Sequence, residues 1–135
     1  MTRDEAQRSI QPFYEAVTYG NFMNSYIQVT TTTETREEAQ KIARCLVEQK
    51  LAACAQIAGP ITSTYRWKGK VETAEEWLCL IKTQESLYSE LEKTIIGLHS
   101  YETPEIIAVP IIKGSREYLS WLKNETEKLD LKVEA

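Results

Sequence analysis

The stretch EEWLCLIKT, residues 75 to 83, is apolar on both sides of an extended chain. Side chains of a strand alternate, so Trp77, Cys79 and Ile81 point one way while Leu78 and Leu80 point the other. A sheet built around this strand needs cover on both faces. With 135 residues, 42% of them hydrophobic, the chain has material for one domain with a real core and little for a second. Helices of such a domain cover one face. The other face needs a different cover, and a second copy of the same chain supplies one. The strand therefore predicts an oligomer.

The neighbouring segments supply the rest of the sheet. YIQVTTTT, residues 26–33, is β-branched and reads as a strand. Thr35 and Glu38 then form a Thr-x-x-Glu capping box, and Ala39, Ile42, Ala43, Leu46 and Val47 follow helical spacing to about Lys50. LAACAQI, residues 51–57, reads as a small-residue strand bent by Gly59-Pro60 and continued by TSTYRW. WKGK, residues 67–70, is a hairpin turn carried by Gly69. A second helix presents Leu87, Leu91, Ile95 and Leu98 on one face. EIIAVPII, residues 105–112, is an apolar strand whose Pro110 assigns it to an edge or a strand end. Ser115 then caps a last helix, REYLSWLKNETEKL.

The order β-α-β-β-α-β plus a terminal helix predicts an α+β, ferredoxin-like sandwich, an antiparallel sheet with both main helices on one face. Residues 26–128 form this domain. Residues 1–25 read as an N-terminal extension outside it, with Pro12 interrupting the helical spacing of Ala6, Ile10, Phe13 and Val17, and residues 129–135 read as a polar tail.

Composition narrows the function. A formal charge of −4 with no basic run argues against nucleic acid as a partner. No apolar run reaches the length of about 20 residues that a spanning helix needs, so no membrane role is expected. Cys45, Cys54 and Cys79 are odd in number and form no C-x-x-C pair, which points to buried free thiols in a reducing, cytoplasmic setting.

Several separated motifs occur together: LAACAQI, YRWKGKVE (65–72), LIKT (80–83), HSYETPEIIAVPI (99–111) and YLSWL (118–122). In this respect the chain resembles the CutA, or divalent-cation tolerance, family over roughly residues 26 to 123. The resemblance implies a compact, stable homotrimer linked to copper and other divalent cations, without catalytic activity. The chain departs from the family pattern at Ser100, where proline usually follows the histidine. It also has Thr31 where some bacterial members carry a cysteine proposed as a copper ligand, which removes a soft thiolate suited to Cu(I).

Two sets of residues are candidates for a site. His99, the only histidine, with Glu102 and Glu105, offers imidazole and carboxylate donors suited to a weakly bound Cu(II) or Zn(II). The structural alternative is that His99 ties its loop down by hydrogen bonds while Glu105 pairs with a lysine. The second set is Tyr65, Trp67, Lys82, Tyr101 and Glu105, which a trimer could gather into a cleft between subunits that takes a small molecule or a metal. The alternative for Tyr65 and Trp67 is interface packing, and Lys82 is the expected partner of Glu105.

No catalytic residue is assigned: Ser100 adjoins His99 but has no orienting Asp nearby, and the five glycines form no phosphate loop. The expected function is weak binding of copper or another divalent metal by a cytoplasmic homotrimer that contributes to the response to metal ions. The alternative is a trimeric signalling or scaffold protein with a small molecule in the inter-subunit cleft.

Overall fold

The computed structural model describes residues 25–127. Apart from Ser25, the expected extension 1–25 lies outside the described residues, as does the tail 129–135. The strands are β1 (Tyr26–Thr33), β2 (Cys54–Trp67), β3 (Lys70–Gln84) and β4 (Ile106–Ile111), and the helices are α1 (Arg36–Glu48), α2 (Tyr88–Leu98) and α3 (Arg116–Glu125). The strand order β2-β3-β1-β4 is antiparallel throughout, the arrangement expected from the β-α-β-β-α-β pattern.

Helices α1 and α2 cover the face carrying Ile27, Val29, Cys79 and Ile81, against which Ile42, Leu46, Leu91 and Ile95 are fully buried. The alternation read from EEWLCLIKT is thus the real one. Thr35 caps α1 by accepting a hydrogen bond from the Glu38 amide at 3.1 Å. Ser115 caps α3 in the same way through the Tyr118 amide. Strand β4, with Pro110, lies at the sheet edge, where a missing N–H breaks no ladder.

Three local expectations shift. Residues 51–53 precede the strand instead of opening it. Lys50 adopts a left-handed conformation with φ 59°, and the amides of Leu51 and Ala52 both bond back to the Leu46 carbonyl, so this backbone closes α1. The last helix stops at Glu125 because the Thr126 hydroxyl turns back onto the Leu122 carbonyl at 2.8 Å and also receives the Gln84 amide. Of the cysteines, which are all free, only Cys79 is buried; Cys45 and Cys54 are half-buried.

Helix α3 crosses to the second face of the sheet and covers one corner of it. Leu122, fully buried, packs there with Tyr26 and Ala53, flanked by Ile111 and Leu119. Among the described residues nothing covers the rest of that face, where Ile107 and Val109 are about half exposed.

An irregularity in β2 decides what else lies on this face. Ala58 pairs with Leu78 and Ile61 with Glu76, so Gly59 and Pro60 stand opposite Trp77 alone. The extra residue rephases the strand. Without it Tyr65 and Trp67 would fall on the opposite side from Gln56 and Cys54; with it all four share the second face. Beyond this bulge the strands continue as an arm closed by Lys68 and Gly69, both at positive φ as a tight two-residue hairpin requires. Tyr65, Trp67 and Val71 are exposed along it.

Candidate functional site

The loop that follows α2 begins with His99, which ends the helix by donating its backbone amide to the Ile95 carbonyl. Its side chain is sealed from solvent. Nε2 lies 2.8 Å from the Thr32 carbonyl, and Nδ1 accepts the Tyr101 amide at 3.1 Å. A carbonyl can only accept, so Nε2 carries the proton and Nδ1 keeps its lone pair for Tyr101. Both nitrogens of the neutral ring are therefore used, tying the loop to the end of β1.

Ser100 is held from the other side. Its amide donates to Glu38 Oε1 at 2.8 Å and its hydroxyl to Glu38 Oε2 at 2.9 Å. Glu38 therefore completes only half of a capping box, because its carboxylate leaves its own helix and reaches 62 positions along the chain. The Thr-x-x-Glu spacing is a local signal and carries no trace of this long-range contact. The same bonds keep Ser100 and His99 from acting as a nucleophile and base, since the hydroxyl faces a carboxylate and not the imidazole.

Tyr101 reaches across the end of the sheet and donates its hydroxyl to Glu76 Oε2 at 2.8 Å. Glu76 is 8% exposed. Burial, then the bond to Glu76 and the charges of Glu76, Glu34 and Tyr65, push the Tyr101 phenol far above the ordinary tyrosine range. Tyr65 and Tyr101 thus share the neighbourhood of Glu76. Sequence reasoning missed Glu76, which reads as one of two ordinary acidic residues before Trp77.

The other expected members are apart within one chain. Trp67 is at the tip of the arm. Lys82 lies six residues beyond Glu76 on the same strand, about 20 Å at ~3.3 Å per residue. The expected pairing of Lys82 with Glu105 is not made in the chain. Lys82 stands opposite Gln28, whereas Glu105 precedes Ile106, which stands opposite Thr31. The ammonium instead donates to Gln56 Oε1. Glu102 and Glu105 are exposed. Among the described residues no three His, Cys, Asp or Glu side chains come together as a metal-binding group. The donors named from sequence therefore do not form a closed metal site in a single chain. Thr31 is buried, and its hydroxyl has no hydrogen-bond partner among the described residues. No helix among them is long and apolar enough to cross a membrane.

Comparison with known proteins places this geometry. The family model for the CutA1 divalent ion tolerance protein matches residues 27–125. The divalent-cation tolerance protein CutA of Thermus thermophilus is 45% identical over 98 residues, covering 73% of this chain and 95% of the relative. The chloroplastic protein CutA of Arabidopsis thaliana is 46% identical over 100 residues, which is 74% of this chain but only 55% of that longer protein. Human protein CutA is likewise matched over 55% of its length, so the chain spans about half of several curated relatives. Among solved structures, the Thermus thermophilus Cut A1 protein superposes with a TM-score of 0.74 at 43% identity, covering 76% of this chain and 99% of that one. CutA1 from Oryza sativa gives 0.75 at 42% identity, over 78% and 96% of the two chains. With the family model matched over nearly all the described residues and the β-α-β-β-α-β fold shared with these solved structures, this chain belongs to the CutA1 divalent ion tolerance family.

Proposed function

We propose that the chain works in divalent-cation tolerance as a non-enzymatic, cytoplasmic homotrimer that binds copper or zinc weakly at sites completed between copies. The observation that carries the assembly is the second face, largely uncovered among the described residues, with its arm. Ile107, Val109, Tyr65, Trp67 and Val71 are all exposed, and a two-stranded arm is marginally stable alone in water. Three copies closing into a ring would cover this surface and bring each arm against a neighbour.

The reading of metal binding rests on the donor set. His99 has both nitrogens committed, so a ligand role at Nδ1 would require it to give up the Tyr101 amide. Glu102 and Glu105 are exposed and are the accessible donors, and hard oxygen ligands hold Cu(II) or Zn(II) less tightly than imidazole, which fits weak binding by a partial set that a second copy can extend. A cytoplasmic setting is supported by three free thiols.

The test is calorimetric titration of the assembled protein with Cu(II) and Zn(II), with sedimentation run in parallel. Sedimentation should give about three times the 15.5 kDa chain mass. Glu102→Gln and Glu105→Gln should weaken binding while the assembly persists, and His99→Ala should act mainly on stability. A monomer would refute the assembly. Unchanged metal affinity in both glutamine variants would refute the carboxylate site.

A further inference from the structure

Strand β1 ends where Thr33 stands opposite Trp77, and from there β2 and β3 run on as a ribbon of two strands. Glu76 stands at the base of this arm and is 8% exposed within the single chain. Its Oε2 accepts the Tyr101 hydroxyl, whereas Oε1 has no hydrogen-bond partner among the described residues and is not sealed from solvent. No cation pairs with it: the ion pairs among the described residues are Arg44–Glu48, His99–Glu38 and Lys123–Glu127. Arg36 lies over the ring of Trp77, a side chain that points to the helix side. A carboxylate buried against one neutral donor lacks a counter-charge.

The cations of the arm are at its other end. Arg66, Lys68 and Lys70 flank the turn, all exposed, and none is paired with a carboxylate among the described residues. Lys70 is six residues from Glu76 on the same strand, about 20 Å at ~3.3 Å per residue, so a chain cannot bring its own tip to its own base. The three cations are not equivalent. Lys68 sits over the Trp67 ring at 5.7 Å, and Arg66 stands opposite Val71, on the other side of the ribbon from Trp67. Lys70 stands opposite Trp67, and by alternation it shares the second face with Glu72 and Glu76.

A ring of three copies closes through head-to-tail contacts, in which one surface of a chain meets a different surface of the next. Cationic tips brought together would repel, whereas a tip laid over an acidic base is attracted and held in register. The base is acidic, since the charges of Glu34 and Glu76 both act on the Tyr101 phenol. We propose that Lys70 of one copy pairs with Glu76 of the next, seating the hairpin tip of one chain on the Tyr101–Glu76 pair of its neighbour. This contact rests on the assembly proposed above and adds to it the charge pair that sets how the copies are placed.

The experiment uses the full-length protein. In assemblies mixed from isotope-labelled and unlabelled chains, NMR contacts are expected between the Lys70 side chain of one copy and the Tyr101 ring of another. Subunit dissociation is measured in parallel by sedimentation over a dilution series. Lys70→Met and Glu76→Gln, which keeps an acceptor for the Tyr101 hydroxyl, should each raise the dissociation constant by about tenfold. The double variant should be no weaker than either single one, because each removes the same pair. Additive losses, with no contact between labelled and unlabelled copies, would overturn the pairing and leave the assembly standing. Coupling of Lys70 to Glu102 or Glu105 in place of Glu76 would do the same. So would a loss of Zn(II) binding in Glu76→Gln with no effect of Lys70→Met, which would make a metal ion the missing cation. A monomer would overturn the assembly and this contact together.

Discussion

Removing the Tyr101 hydroxyl tests how the histidine loop is anchored to the sheet. In Tyr101→Phe the ring remains, 4.9 Å from that of His99, and only the 2.8 Å bond to Glu76 is lost. Glu76 is 8% exposed, so water replaces the missing donor poorly. A hydrogen bond to a charged group contributes about 1.5 to 3 kcal/mol, and we expect a loss near 2 kcal/mol. With a urea slope of ~1–3 kcal/mol per molar, the midpoint should fall by about 1 M.

Glu76→Gln and the double variant complete a cycle, measured by urea unfolding at one fixed protein concentration because assembly contributes to stability. A coupling energy of at least ~1 kcal/mol is expected for groups in direct contact. The alkaline limb gives a second readout. Tyr101 holds its proton more tightly folded than unfolded, so the stability it lends is complete below its ordinary pKa of about 10 and drains away as pH rises above that value. Tyr101→Phe should lose part of this alkaline decline. A coupling below ~0.5 kcal/mol, together with an unchanged alkaline limb, would refute the account.

Leu122 is fully buried where α3 meets the second face, so Leu122→Ala should cost about 2 to 5 kcal/mol and speed amide exchange in α3 before the other helices; an exchange pattern spread evenly over all three helices would contradict it. The Thr31 hydroxyl is buried without a partner, and Thr31→Val, nearly the same shape, should raise stability by about 1 kcal/mol in thermal or urea unfolding; a loss of stability would show that the hydroxyl is satisfied. At Gly59 an added Cβ would approach Trp77 Cε3 to 2.9 Å, so Gly59→Ala should cost about 1 to 3 kcal/mol and change Trp77 emission, whereas a neutral result would mean the bulge relaxes freely.

The sequence by itself determined the sheet and its order. The two-sided strand at 75–83, the Thr35 and Ser115 caps, the turn at Lys68-Gly69 and the edge proline of β4 are local signals, each set by backbone geometry and alternation within a few residues. It also singled out His99 and Tyr101 in one loop, with the tie to the sheet offered only as the alternative role of His99. What it could not carry was any contact between segments distant in the chain. Glu38 looked like a capping residue and proved to be the clamp on Ser100; Glu76 looked like surface charge and receives Tyr101; Lys82 and Glu105 looked like a pair and are separated by strand register. The bulge at Gly59-Pro60 shows the reason most directly. One extra residue reverses which side chains face which way, so whether Tyr65 and Trp67 join Cys54 and Gln56 depends on how β2 is paired with β3, and pairing exists only once the strands have met.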